Sequence, residues 1–179
     1  SLSMVFLVRK MRMMPGLNKF KIVVVTDRTD LQDQLSATAQ LSGEAVRPTD
    51  ADLQSRESAT VLTQRLLTER TPDIVMAMLQ KYQPVGGKSD SRKLEKHVTF
   101  TENIRFEEFP QLNDSEEILV LVDEAHRSNT RTLHRNLRKA LPNAAIIGFT
   151  GTPILNPEKK ETREIFGDFI DKYILQDAE

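Results

Sequence analysis

Two adjacent carboxylates, Asp123 and Glu124, follow directly after the aliphatic run Ile118 to Val122. Such a run is typical of a strand that is buried on both faces of a parallel sheet, which places the carboxylates at its carboxyl end. There the first can hold Mg²⁺ through the ion's water shell, while the second takes a proton from an attacking water molecule. The pair therefore predicts metal-assisted hydrolysis, with Asp123 at the metal and Glu124 as the general base.

A second motif, Thr150-Gly151-Thr152, marks the point where another aliphatic strand runs into a tight turn. His126 follows closely after the acids and could relay their state to the two threonines. Taken alone, the acidic pair could equally be the solvated end of a strand, and a single histidine is more often a packing or capping residue. The presence of both motifs in one chain favours the chemical interpretation.

Two further polar pairs fall at predicted strand ends. Thr26 and Arg28 follow one β-branched run, and Gln80 and Lys81 follow the next strand along the chain. Because ligands of a parallel sheet bind outside the carboxyl ends of its strands, these side chains are expected near the acids. Taken alone, Arg28 and Lys81 could be ordinary solvated surface cations.

Aliphatic runs alternate with amphipathic segments along the chain. The predicted strands are Lys21–Thr26, Ile74–Met78, Ile118–Asp123 and Ala144–Thr150, and the predicted helices cover 1–13, Leu31 to Ala39, 60–67, 130–141 and about 158–166. The segment from Gln83 to Asp114 is expected to be a long connection. This alternation predicts an α/β domain of three layers with a mainly parallel sheet, formed by residues 1–179.

The composition is that of a globular protein, with 39% hydrophobic and 28% charged residues. The absence of cysteine excludes disulfides and thiolate zinc sites and is compatible with a reducing cytoplasm. No run is long and apolar enough for a membrane span. Basic and acidic residues number 25 and 26, so any nucleic-acid contact is expected from local groups and not from a generally basic surface.

Asp123-Glu124-Ala125-His126 and Phe149-Thr150-Gly151-Thr152-Pro153 resemble motifs of superfamily-two DExH helicases and translocases. The wider neighbourhoods narrow the resemblance to the first motor domain of the R subunit of Type I restriction-modification enzymes. The segments that carry it are Val25 to Leu35, Leu79 to Tyr82, Asp123 to Ser128, Gly151 to Ile154 and Thr162 to Tyr173. The resemblance covers nearly the whole chain, and residues 157–179 correspond to the exit toward a second motor domain.

The resemblance implies a RecA-like fold of the P-loop NTPase type and ATP hydrolysis that drives translocation along double-stranded DNA. It implies Asp123 as the Mg²⁺ ligand and Glu124 as the base, with His126, Thr150, Gly151 and Thr152 coupling hydrolysis to movement. It also makes Thr26, Arg28, Gln80 and Lys81 the candidates for DNA contact. The implied cofactors are ATP and Mg²⁺. The implied partners are double-stranded DNA and the modification (M) and specificity (S) subunits, in the cytoplasm of a bacterium or archaeon.

Such motors also need a phosphate-binding loop with the complete spacing Gly-x-x-x-x-Gly-Lys-Ser/Thr, which this sequence lacks. In the resembled family this Walker A strand and loop precede the first helix, so Ser1 is a doubtful candidate for nucleotide binding. The second motor domain and the nuclease domain are also missing. We therefore expect a fragment that folds but hydrolyses no ATP by itself.

Three alternatives remain at the level of sequence. The chain could come from another superfamily-two DNA or RNA helicase, since the acidic pair and the Thr-Gly-Thr-Pro turn are widely shared. It could be a catalytically dead α/β interaction module that retains its acids as remnants. A metal hydrolase built from His97, His126 and His134 is a weaker alternative, because the flanking residues lack the spacing of metal ligands.

Overall fold

The computed structural model describes residues 2–26, 31, 34–37, 39, 46–54, 59–80, 98–101, 110–123, 130–151, 165–168 and 170–171. Of the predicted site residues, Thr26, Gln80, Asp123, Thr150 and Gly151 lie within this part of the chain. Ser1, Arg28, Lys81, Glu124, His126 and Thr152 lie outside it. The predicted helix at about 158–166 is described only at Ile165 and Phe166, which are helical.

The described helices are α1 (Leu2–Met13), α2 (Asp50–Leu53), α3 (Ala59–Thr68) and α4 (Thr130–Ala140). The described strands are β1 (Lys21–Thr26), β2 (Val46–Arg47), β3 (Ile74–Gln80), β4 (Val98–Thr101), β5 (Ile118–Val122) and β6 (Ala145–Gly148). Leu31, Leu35 and Ala39 are also helical and buried. The four predicted strands are thereby confirmed within two residues at their ends, as are the predicted helices 1–13, 60–67 and 130–141.

The described strands form one sheet in the order β2-β3-β1-β5-β6, and every strand pair is parallel. β4 pairs in parallel with the second half of β3. Because β1 occupies one edge of β3, β4 must continue the edge on which β2 pairs with Ile74 and Val75. This arrangement confirms the predicted α/β fold with a mainly parallel sheet.

The central strand β1 shows how the three layers are held together. Its side chains alternate between two hydrophobic clusters, and its four aliphatic residues are all 0% exposed. On one face, Val23 and Val25 pack with residues of α3 and α4; on the other, Ile22 and Val24 pack with α1 and with the helical residues near Leu35. Full burial of each such side chain contributes about 1.5–3 kcal/mol, so β1 anchors both helical layers.

Helix α1 is held against the sheet by one face and by its last turn. Met4, Val8 and Met11 recur at helical spacing and are buried. In the last turn, the guanidinium of Arg12 donates hydrogen bonds to the carbonyl oxygens of Asn18 at 3.1 Å, Phe20 at 2.6 Å and Pro72 at 2.9 Å. These bonds hold the end of α1 beside the beginnings of β1 and β3.

Three elements were not predicted from the sequence. β4 lies inside the segment 83–114, so the expectation of an uninterrupted connection there was wrong. Its residues Val98–Thr101 alternate apolar and hydroxyl residue types and pair in parallel with β3. β2 has two residues, too few for a periodic signal. Helix α2 begins with a capping box between Thr49 and Asp52, a signal that was available in the sequence.

The amino ends of the strands carry a paired ionic network, which begins at Asp52. This carboxylate is only 7% exposed and accepts two hydrogen bonds of 2.5 Å from Arg47. It also accepts from the backbone amide and hydroxyl of Thr49 at 2.7 and 2.9 Å, and Arg65 lies at 3.3 Å. The hydrogen bond from Arg47 holds the pKa of the Asp52 carboxyl well below its usual range.

The same network continues to the first residue of β1. Lys21 is 3% exposed, pairs with Asp73, and donates a 3.0 Å hydrogen bond to the carbonyl oxygen of Leu66. Arg47 connects this pair to the rest, with Asp73 at 3.5 Å and Glu69 at 3.3 Å. A buried ammonium is costly unless it is paired and hydrogen-bonded, and both conditions are met here.

Candidate functional site

The carboxyl ends of β1, β5 and β6 lie side by side. In the sheet register Val25 is opposite Val122, and Val122 is opposite Gly148. Thr26, the last residue of β1, therefore emerges at the same edge of the sheet as Asp123 and Phe149, which follow β5 and β6. Backbone hydrogen bonds extend the pairing one step further, from Asp123 to the Val25 carbonyl and from Phe149 to the Val122 carbonyl, both at 2.8 Å. The predicted convergence at this edge is thus present in the described residues.

The side chains of Thr26 and Asp123 meet across two neighbouring strands. The hydroxyl of Thr26 donates a hydrogen bond of 3.1 Å to the Asp123 carboxylate. Thr26 is 0% exposed and Asp123 is 7% exposed, so the bond is shielded from bulk water. Hydrogen bonds to a charged acceptor are stronger than neutral ones. The contact fixes the orientation of the carboxylate and links the end of β1 to that of β5.

A single oriented carboxylate is a suitable ligand for a hard, hydrated cation. Mg²⁺ usually keeps several waters and takes one or two carboxylates together with the phosphates of a bound substrate. Asp123 fits this type of site, and the Thr26 hydroxyl leaves the other carboxylate oxygen for a water of the ion's shell. Within the described ranges, no group of three or more His, Asp or Glu side chains forms a cluster that could hold a metal ion.

The second motif begins where β6 ends. Thr150 is half-buried and Gly151 is exposed, two and three residues after the last residue of β6. Because Phe149 is bonded to Val122, the chain leaves β6 beside Asp123. Thr150 and Gly151 therefore lie at the same edge of the sheet as the Asp123 carboxylate, the edge formed by the carboxyl ends of the strands. Their proposed coupling role stays a prediction.

Gln80 lies on β3, which flanks β1 on the side opposite β5. β3 reaches Gln80, whose backbone pairs with Thr101 of β4. Met78 of β3 is opposite Thr26 in the register, so Gln80 extends two residues beyond the end of β1. The backbone thus brings Gln80 to the predicted edge. Contact with DNA by Thr26, Arg28, Gln80 or Lys81 stays a prediction, and the described side chain of Thr26 is directed to Asp123.

His134 is the described member of the alternative metal set. It lies on α4, where its ring packs edge-on against Phe166 with ring centroids 6.1 Å apart. Its Nε2 atom is buried and has no hydrogen-bond partner among the described residues. Burial, followed by the charge of Arg138, lowers its pKa from the usual 6.5. His97 and His126 lie outside the described residues, so the proposed three-histidine metal site is described at His134 alone.

The sequence does contain one Gly-Lys-Ser tripeptide, at Gly87 to Ser89, within a segment outside the described residues. In a complete phosphate-binding loop a glycine stands five residues before the second glycine, and Tyr82 occupies that position here. The tripeptide is therefore only part of the motif, and the sequence lacks the complete Gly-x-x-x-x-Gly-Lys-Ser/Thr spacing.

Comparison with known proteins identifies the class. Residues 1–179 match the family model of the SWI2/SNF2 ATPase. The chain belongs to this family, whose fold class agrees with the parallel sheet and two helical layers described above. No solved structure matches the chain.

The curated relatives are more particular. The chain is 36% identical to the Type I restriction enzyme HindI endonuclease subunit of Haemophilus influenzae over 190 residues, which is 99% of this chain and 16% of that subunit. It is 34% identical over 179 residues to the MjaIXP endonuclease subunit of Methanocaldococcus jannaschii, also named as a type I restriction enzyme subunit, with 99% and 14% covered. The chain thus spans about one sixth of the length of these relatives.

None of the described helices is long and apolar enough to cross a membrane.

Proposed function

We propose that this chain is a fragment of the ATP-dependent DNA translocase motor of a Type I restriction endonuclease R subunit, in which ATP hydrolysis drives translocation of double-stranded DNA before cleavage. Membership of the SWI2/SNF2 ATPase family and the full-length similarity to Type I endonuclease subunits support this proposal. The hydrogen bond between Thr26 and Asp123 supports it most directly, because it orients one carboxylate at the edge where a nucleotide would bind.

In this proposal each residue of the site has one task. Asp123 holds Mg²⁺ through its water shell, and the bound ion would neutralise charge on the phosphates of ATP. Glu124, the next residue, accepts a proton from the attacking water. Thr26 keeps the Asp123 carboxylate in place from the neighbouring strand. His126, Thr150, Gly151 and Thr152 transmit the state of the site to the rest of the motor.

The outer strand of the sheet offers a place for the missing phosphate loop. β5 is fully buried, whereas β6 is exposed at Ala145 and only half-buried at its other three residues. β6 is the last strand of the described sheet on that side. We propose that a strand from the longer protein pairs there and carries the phosphate-binding loop, and that hydrolysis requires this longer protein.

The partners follow from the same similarity. The relatives are named as subunits, so we propose that the longer protein assembles with modification and specificity subunits on duplex DNA, in a bacterial or archaeal cytoplasm. A motor of another superfamily-two class and a catalytically dead module are the competing functions.

The test is ATP hydrolysis by the complete protein assembled with its modification and specificity subunits, measured with and without duplex DNA. We expect duplex DNA to stimulate hydrolysis and Glu124→Gln to lower the rate at least about 100-fold, the lower range of a general base's contribution. Glu117→Gln is the matched control, because Glu117 is an exposed carboxylate just before β5 that pairs only with Lys19 among the described residues.

Each outcome separates the competing functions. Hydrolysis that is indifferent to duplex DNA but lost in Glu124→Gln would point to another class of motor. No hydrolysis in the wild-type assembly would favour the dead module. An equal loss in Glu117→Gln would show that the effect is general to carboxylates near β5 and would contradict the assignment of the base.

A further inference from the structure

Helix α4 carries a concentration of positive charge that the proposed hydrolysis does not use. Its eleven residues include Arg131, Arg135, Arg138 and Lys139 and no acidic residue, in a chain whose net charge is −1. Arg135, Arg138 and Lys139 are exposed, whereas the helix buries Leu137 and other residues on its opposite side. At 100° per residue the three cations fall on one face, which we call the α4 basic face.

The charges of the neighbouring helical region behave differently. Arg47 and Arg65 pair with Asp52 and Glu69, and even the exposed Arg70 pairs with Asp114 at 2.8 Å. On α4, by contrast, neither Arg135 nor Lys139 has an ion-pair partner in the part of the chain that the structure describes. Arg138 uses its guanidinium to donate a 2.7 Å hydrogen bond to the Ala144 carbonyl, which ties the end of α4 to the start of β6.

We propose that the α4 basic face binds the phosphate backbone of duplex DNA, with Arg135 and Lys139 as the contacting residues. This inference rests on the proposed DNA motor. Arg135 and Lys139 lie one turn apart, about 6 Å along the helix axis, so both can contact one strand. Arg138 ties the last turn of α4 to the start of β6, so DNA on this face would lie toward the amino ends of the strands and away from Asp123.

The charge pattern favours a polyanion of regular spacing. Cations on a rigid helix meet phosphates at low conformational cost, and contacts to phosphate give affinity without sequence preference. Such a surface is useful to a motor that moves along any sequence. An acidic segment of a partner protein is the competing occupant, and it predicts no change in DNA binding when the face is neutralised.

The test is binding of a labelled, mixed-sequence DNA duplex to the complete protein by fluorescence anisotropy at several salt concentrations. Each phosphate contact contributes about 0.9 to the slope of log affinity against log salt. We expect the Arg135→Gln/Lys139→Gln variant to lower the slope by about 1.8, twice this value. Arg9→Gln/Lys10→Gln is the matched control, since it removes the same charge from two exposed positions on α1, in the other helical layer.

The outcomes distinguish this inference from the proposed function. A loss of slope confined to the α4 variant supports it. Equal losses in both variants would reveal only the effect of net charge and would overturn it, as would an unchanged slope in the α4 variant. If duplex DNA stimulates ATP hydrolysis while the slope is unchanged, the motor stands and the α4 contact falls. If the wild-type protein binds no duplex, both fall. Circular dichroism of each variant checks that α4 is still folded.

Discussion

The two ends of the sheet differ in how their polar groups are satisfied. At the amino end, Asp52, Arg47, Asp73 and Lys21 form a dense network in which every carboxylate has a cationic partner. At the carboxyl end, the described side-chain contact of Asp123 is the hydrogen bond from Thr26. The amino end is therefore built as a fixed structural joint, whereas Asp123 has one described side-chain partner.

The difference teaches where stability and chemistry can be separated. A buried carboxylate that accepts several short hydrogen bonds, as Asp52 does, has no capacity left for a substrate. Asp123 is equally buried but is held by one side-chain hydrogen bond in the described residues. Changes at the amino end should mainly affect folding, and changes at the carboxyl end should mainly affect activity.

The largest effect on stability is expected from Asp52→Asn. The substitution leaves Arg47 without its main partner in a site where Asp52 is 7% and Arg47 is 20% exposed. Breaking one partner of a buried pair costs about 3 kcal/mol. We expect the free energy of unfolding of the chain in urea to fall by that amount, with ATP hydrolysis by the folded, complete protein retained.

Arg70→Ala is the control for that substitution. It removes an ion pair whose side chains are 75% and 58% exposed, and exposed pairs contribute about 0–1 kcal/mol. A loss as large as that of Asp52→Asn would mean that burial does not set the energy of these pairs.

A smaller effect on stability and a specific effect on activity are expected from Thr26→Val. Valine has nearly the same shape but cannot donate a hydrogen bond to Asp123. Loss of a hydrogen bond to a charged group costs about 1.5 kcal/mol. We expect ATP hydrolysis by the complete protein to fall about tenfold, the equivalent of about 1.4 kcal/mol. Thr26→Ser keeps the hydroxyl and should retain most of the rate. An unchanged rate in Thr26→Val would remove Thr26 from the site.

The smallest effect is a pH dependence from His134. Its folded pKa lies below the usual 6.5, so the unfolded chain binds the proton more tightly. Stability is then fully present above about pH 6.5 and is lost as the pH falls from there through the folded pKa. Urea unfolding at several pH values should show this loss, and His134→Gln should reduce it.

A second loss of stability is expected below pH 3.8, the usual pKa of Asp52, and should be absent in Asp52→Asn.

The sequence predicted the elements that have strong local signals. The β-branched run of β1 and the aliphatic run of β5 indicate buried strands because short, continuous runs of such residues are typical of strands covered on both faces of a parallel sheet. Asp123 was placed at a strand end for the same reason. The pairing of Lys21 with Asp73 was out of reach, because the two residues are 52 positions apart and neither carries a motif.

The partner of Asp123 was also beyond sequence reasoning. Thr26 was predicted at the same edge as a DNA-contact candidate, and the structure directs its hydroxyl to Asp123, 97 residues away. That bond depends on β1 lying next to β5, which is a property of strand order. Strand order depends on how the connections pack over the sheet, and no short sequence pattern encodes it.

By itself, then, the sequence determined the parallel α/β fold, the acids at the end of β5 and the similarity to a DNA motor, because each rests on side chains close together in the chain. Only the tertiary structure decided which of the described charges are paired, which side chain orients Asp123 and which cations of α4 lie together on an exposed face. These properties depend on distances between residues far apart in sequence. The free energy of a charge is set by its burial and its partners, and both exist only once the chain is folded.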